Sequence, residues 1–550
     1  VPTGARVFLI LLACLALLPI AALAWIALTP APGVWPHLLE FVLPRSAFNT
    51  VVLLVGVGFG TAALGVGSAW FVSLTRFPGR QFLQWALVLP LAMPVYIAAY
   101  GWVEFLDYSG PVQNALRDVT GWTSFRDYWF PDIRSLTGAV IIFTLVLYPY
   151  VYIPARLVFM VQGATALDAA RGLGAGPARL FTKVALPLSR PAIAAGVALA
   201  LMETLNDIGA VEVLGVRTLT YAVFETWLNR DSLSGAVQLA LLVLLVVGGL
   251  IWLERAARNN RDFARSSRER EPARLDLSVT GKAFAFSFCA LPVLAGLGIP
   301  LATFATFALR RLEAFTEPAL LSAALNSLTV ALLCALLAVT IAYLVLQTAR
   351  LHRSKRLALA GRLASLGYAI PGTVLALGLL VPLAGFDNWL DGTLRETFNW
   401  RTGLLLSGTI VILVYAHTLR FLSVAYGTIE TAFLRVPPTI DMASRGLGRT
   451  GRQTALFVHV PILRAGLAVA AMLVFVDSVK ELSATLLLRP FGFQTLPTLV
   501  YERASQAAIE DAAPAALAIV LVGLIPVAVL NAVPSGLTRG KMRQLAPRPA

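Results

Sequence analysis

The chain of 550 residues is 58% hydrophobic and 13% charged, with a mean hydropathy of +0.77, where a soluble globular chain carries roughly 25% charged residues; a water-soluble fold is excluded. Its net charge of +15 and pI near 10.2 would suit nucleic acid, but the Lys and Arg residues fall in short loops between apolar runs, a pattern of membrane topology and not of a nucleic-acid footprint. Apolar runs in hydrocarbon must satisfy their own backbone groups, so the expected class is an all-α polytopic membrane protein.

A spanning helix takes about 20 apolar residues, and twelve segments reach that length. The first six are Val7–Leu28, Thr50–Leu74, Leu83–Phe105, Leu136–Val161, Ala192–Leu214 and Gly235–Leu253. The first of these exceeds the apolar core of a cleaved signal, about 7–15 residues, and is predicted to be a retained helix. Next comes Glu254–Lys282, charged and poor in apolar residues, which reads as a solvated linker on the basic side. The second six are Ala283–Leu309, Asn326–Leu346, Ala358–Leu380, Gly403–Val424, Gly466–Leu488 and Ala513–Val533. Cys14, Cys289 and Cys334 sit inside apolar runs with no metal-ligand spacing and are read as packing residues.

The organisation is a duplication: residues 1–253 and 283–550 as two six-helix halves, joined by 254–282. Phe48-Asn49-Thr50 matches Leu325-Asn326-Ser327, and Pro94 matches Pro371, both 277 residues on. An even number of spans leaves both termini on one side. Arg76, Arg80, Arg350, Arg353, Lys355, Arg356, Arg539, Lys541 and Arg543 all fall on that side, which the excess of Lys and Arg assigns to the cytoplasm.

Within this frame two loops, 164–191 and 438–465, repeat each other. Asp168-Ala169-Ala170-Arg171-Gly172-Leu173-Gly174 recurs 274 residues later as Met442-Ala443-Ser444-Arg445-Gly446-Leu447-Gly448, and Pro187 recurs as Pro461. Thr165 and Asp168 fit a capping box, and the glycines permit the left-handed turn that stops a short helix. In the second copy Met442 replaces the acid and Asp441 precedes it, a suitable charge for the positive end of a helix. Two copies in register on one face predict a paired docking surface for a two-fold partner.

This loop resembles the E-A-A-x-x-x-G motif of ABC importer permeases, with Leu186-Pro187 as the later L-P. The resemblance implies a type I ABC importer (MetI-like) permease fold and a coupling helix that seats on a cytoplasmic ATPase. It implies two ATPase copies as partners, with ATP and Mg bound by them and no cofactor on this chain. Asp168 stands for the usual Glu, and Val460 precedes Pro461. No phosphate loop is read at Gly281-Lys282, because the glycine needed five positions earlier is Asp276.

The segment after each loop carries charge inside an apolar run. The 274-residue offset places Glu203 on Asp477, Asn206 on Lys480 and Asp207 on Glu481. Charge at the bilayer centre costs at least about 2.5–3.5 kcal/mol, so such groups face protein or a wet cavity. Their spacing of four predicts that Glu203 and Asp207 share one helix face, as do Asp477 and Glu481. Carboxylate oxygens suit a hard cation, while a packing or gating role for the same groups stays open. The stretches Met202–Trp227 and Phe475–Ser505 resemble those of bacterial ferric-iron importer permeases. That resemblance implies ferric iron as cargo, an iron-binding protein docking outside, and residence among lipid in the bacterial inner membrane. Related permeases for thiamine or a phosphonate-type solute are the alternatives, and an ion-coupled secondary transporter is the more distant one.

Overall fold

The computed structural model describes residues 3–29, 33, 35–161, 163–258, 274–352, 361 and 365–532. Among the described residues nine helices are long and apolar enough to cross a membrane, or eleven if each of two bent pairs is one span. The expected first span is the 25-residue Thr3–Ala27 helix, of which Leu11–Ala27 lie among the residues whose side chains are described. Apart from a two-residue strand pair, Thr75–Arg76 with Leu275–Asp276, the described chain is helical or loop.

Several boundaries differ from expectation, each for a backbone reason. Leu83–Phe105 is bent by 96° where Pro94, which has no N–H to give, opens the Val95–Leu106 helix. Leu136–Val161 bends by 43° before Pro149. The span expected at Ala358–Leu380 is the Gly372–Phe398 helix, which opens on Pro371. Residues 358–360 and 362–364 lie outside the described residues. The span expected at Gly403–Val424 is Ile410–Leu434, set by the Thr409 side chain accepting from Val411 N. Of the linker, 259–273 lie outside the described residues, as do Arg353, Lys355, Arg356, Arg539, Lys541 and Arg543. Glu254–Arg258 extend the preceding helix.

Recurring contacts accompany the recurring sequence. The Leu43–Leu74 helix packs with Pro149–Val161 and Leu186–Asn206, and Pro318–His352 packs likewise with Ile410–Leu434 and Val460–Lys480. Thr50 Oγ1 accepts from Leu219 N at 2.9 Å, and Ser327 Oγ from Leu496 N at 2.8 Å. Asn49 Nδ2 donates to Arg217 O at 3.0 Å, and Asn326 Nδ2 to Gln494 O at 2.8 Å. These bonds hold two ten-residue helices, Leu219–Leu228 and Leu496–Ser505, against their respective spans. Replacing Ser327 with alanine leaves the buried Leu496 N–H without its acceptor, at a cost of about 1–3 kcal/mol. The expected result is a lower thermal unfolding midpoint in detergent, with a comparable fall for Thr50→Val; unchanged midpoints would show that these bonds are not anchors.

Two glycines let the recurring parts interleave. A Cβ on Gly101 would meet Pro300 Cα at 2.9 Å, and one on Gly378 would meet Pro19 O at 2.6 Å. The Ile299–Arg310 helix thus lies against Val95–Leu106, while Thr3–Ala27 lies against Gly372–Phe398.

Candidate functional site

The helix expected to continue through the first carboxylate pair stops instead. Leu186–Asn206 ends at Asp207, which is extended (φ −84°, ψ 96°) and accepts from Ala210 N at 2.8 Å to start Ile208–Val213. Val460–Lys480 ends in the same way at Glu481 (φ −72°, ψ 121°), which accepts from Ala484 N at 3.0 Å. The two carboxylates of each pair are thus not on one continuous helix: the first lies within a helix, and the second, at its C-terminal end, accepts from the backbone of the next. Both breaks nevertheless open into one cavity of about 100 Å³.

Glu203, Asn206, Asp207, Asp477, Lys480 and Glu481 all line it. Glu203 accepts from the Tyr368 hydroxyl. Asn206 Oδ1 accepts from Gly372 N at 2.8 Å, and its carbonyl from Ser483 Oγ at 2.7 Å. Lys480 Nζ lies 3.4 Å from Asp477 Oδ1 and donates to Leu91 O at 3.4 Å. The breaks are thus laced across the cavity by single hydrogen bonds.

Glu481 is held far more heavily. Arg420 Nη1 donates to Oε1 at 2.9 Å, while Thr485 N and Oγ1 donate to Oε2 at 3.1 and 3.0 Å. His417 Nε2 lies 3.4 Å from Oε2, and its Nδ1 pairs with Ser478 Oγ at 2.8 Å. Arg420 is 3% exposed. A buried charge of this kind is tolerable only with its counter-charge in place; Glu481 supplies it, while Arg420 Nε has no partner among the described residues. Sequence reasoning passed over Arg420, His417 and Tyr368. The signal was present for Arg420, the single charged residue of the 403–424 run. At the 274-residue offset the first part carries Val146 and Phe143, so no repeat drew attention to them.

The repeated loops form two knobs. The first is the Gly163–Gly172 helix followed by Gly174 at φ +81°, the second Pro438–Gly446 followed by Gly448 at φ +77°. Their closing bonds are the same: Leu173 N to Ala169 O, Gly174 N to Arg171 O and Ala175 N to Ala170 O recur as Leu447 N to Ala443 O, Gly448 N to Arg445 O and Arg449 N to Ser444 O. Each turn presents a leucine to solvent, Leu173 at 90% and Leu447 at 81% exposure. Asp168 pairs with Arg171 at 3.0 Å, and Met442 is exposed. The side chain of Thr165 lies outside the described residues, so its capping bond is not described. Pro187 and Pro461 follow π-helical turns, Leu180–Ala185 and Ala455–His459. A proline ring crowds the carbonyl four residues back and widens the turn before it.

Asp441 stands in the first turn of Pro438–Gly446, at the positive helix end that its charge suits. Its side chain is 14% exposed and turned inward, with Oδ2 accepting from Arg350 Nε at 2.9 Å and Oδ1 lying 2.7 Å from His459 Nε2.

Both knobs lie on one side of the bundle. Leu43–Leu74 runs into Thr75–Arg76, which pairs with Leu275–Asp276. From there Val279–Arg310 and Pro318–His352, each long and apolar enough to cross a membrane, lead out and back, which brings His352 to the side of Leu74. The first knob packs beside Leu74 and Phe77 through Leu167, and the second is tied to Arg350.

A bundle of spans with a polar cavity at two helix breaks and two matched knobs on one side defines a transport permease driven from outside its own chain. The family model of the binding-protein-dependent transport system inner membrane component matches residues 62–258. The chain is 30% identical over 204 residues to the molybdenum transport system permease protein ModB of Escherichia coli, covering 35% of this chain and 86% of that one. It is 27% identical over 495 residues to the Fe(3+)-transport system permease protein FbpB 2 of Haemophilus influenzae, covering 88% of each. It is also 25% identical over 212 residues to the putative 2-aminoethylphosphonate transport system permease protein PhnU of Salmonella paratyphi A, covering 38% of this chain and 72% of that one. The chain belongs to the family of binding-protein-dependent inner membrane permeases, the membrane subunits of ABC importers. It is a multi-pass inner membrane protein and not itself an ATPase; permeases of this family work with ATPase and binding-protein subunits. An ion-coupled secondary transporter is thereby set aside.

Proposed function

We infer that the chain is the ferric-iron permease of its importer, with twelve spans in two pseudo-symmetric six-helix halves and the knobs and both termini facing the cytoplasm. Two ATPase copies grip the knobs around Leu173 and Leu447, and an iron-loaded binding protein delivers cargo to the opposite face. Closure of the ATPases rocks the halves and exposes the cavity to each side in turn.

The observation that carries the cargo is the charge of the cavity. Glu203, Asp207, Asp477 and Glu481 stand against Arg420 and Lys480, an excess of carboxylates that favours a hard cation. An oxyanion such as molybdate or a phosphonate would meet repulsion there. The relative that spans 88% of both chains is named for Fe(3+) transport, which supports the same reading. Among the described residues no three His, Cys, Asp or Glu side chains are grouped so as to hold a metal ion.

Uptake of labelled ferric iron, thiamine and molybdate in cells lacking the gene, with and without its restoration, tests the assignment. Restoration of iron uptake alone is expected; restoration of thiamine or molybdate uptake in its place overturns it. Glu203→Gln with Asp207→Asn is expected to lower iron uptake about tenfold or more, since each lost charge-assisted contact is worth about 1.5–3 kcal/mol. ATP hydrolysis by the partner subunits should persist in that variant; unchanged uptake would remove these carboxylates from the path.

A further inference from the structure

The two knobs are built alike but attached differently. At the 274-residue offset Leu167 matches Asp441 and Ala185 matches His459. Leu167 and Ala185 are buried in an apolar cluster with Leu74, Phe77 and Leu83. Their counterparts form a polar knot: His459 Nδ1 pairs with Gln347 Oε1 at 2.8 Å, and Asp441 holds Arg350.

Arg350 reaches further. Its Nη1 donates to Phe433 O at 3.2 Å, and its Nη2 to Val436 O at 2.9 Å and Pro437 O at 3.3 Å. Phe433 lies in the last turn of Ile410–Leu434, with Val436 and Pro437 just beyond it, so the guanidinium clamps the C-terminal carbonyls of that helix. The same helix carries His417 and Arg420, which grip Glu481 at the cavity. From the second knob to the cavity there is thus one continuous line: Asp441, Arg350, the Ile410–Leu434 helix, Arg420, Glu481. The first part has apolar residues at the matching ends, Leu167 at its knob and Val146 at its cavity.

We propose that the second knob is geared to the cavity, with Asp441 and Arg350 as positioning residues that transmit the ATPase stroke through the Ile410–Leu434 helix to Glu481. An apolar seat such as that of Leu167 resists separation but is non-directional. A charge-assisted clamp on helix-end carbonyls fixes direction, so a displaced knob draws the helix with it.

The test needs no cargo and is therefore independent of the iron assignment. The full chain assembled with its ATPase carries Leu91→Cys, at the cavity wall, in a Cys14→Ser background. Alkylation by a water-soluble maleimide, with and without ATP, reads the opening of the cavity. Asp441→Asn and Arg350→Lys are each expected to shrink the ATP-dependent change in labelling about tenfold, while ATP hydrolysis stays within about twofold and the ATPase still co-purifies. Asp441→Glu should restore the response. Loss of the ATPase from the Asp441→Asn complex would make Asp441 a docking contact and overturn the proposal. So would an undiminished response in either variant.

Discussion

Arg420→Met is expected to abolish uptake and to destabilise the chain by about 3–5 kcal/mol, the cost of leaving a buried charge without its partner. Glu481 would keep the Ala484 and Thr485 donors, but these are dipoles and not a counter-charge. His417 is already engaged with Ser478 and Thr485. Adding Glu481→Gln to Arg420→Met should recover most of the lost stability, because a neutral pair carries no desolvation debt, yet uptake should stay low since the helix break has lost its charged tie to Ile410–Leu434 and keeps only the His417 bonds. Thermal unfolding of the purified permease alongside iron uptake checks both parts. A single variant as stable as the parent would mean that the Arg420–Glu481 pair does not hold the break.

The other large effect is expected at the knobs. Gly174 and Gly448 adopt φ +81° and φ +77°, and a Cβ at either would meet no atom within 4 Å. Space is not the constraint; backbone handedness is, and a β-branched residue pays most for it. Gly174→Val combined with Gly448→Val should therefore reshape the two turns without disturbing the spans. Co-purification of the ATPase is expected to fall at least about tenfold, on the scale of 1–2 kcal/mol of strain per turn, with insertion and detergent stability unchanged. ATPase recovery equal to that of the parent would remove the glycine turns from the docking surface.

What the sequence made legible was whatever repeats or is long. The knobs were readable because Gly172-Leu173-Gly174 returns as Gly446-Leu447-Gly448, and the spans because hydrocarbon thickness sets their length. The six cavity residues were readable because charge in an apolar run is costly and needs a reason. The helix breaks were not, since Asp207 and Glu481 look like interior positions until their caps on Ala210 and Ala484 are seen. Arg420 and His417 escaped because their partners lie 61 residues away or more and no second copy exists. The inward turn of Asp441 depends on Arg350, 91 residues distant, which no local pattern reveals.

The short ladder between Thr75–Arg76 and Leu275–Asp276 bears on how such a protein can be encoded. With Gly101 admitting Pro300 and Gly378 admitting Pro19, the segments on either side of residues 259–273 are already moored to each other by non-covalent contacts. The Escherichia coli relative is 86% covered by only 35% of this chain, and a chain cut between residues 259 and 273 is expected to stay associated through these joints.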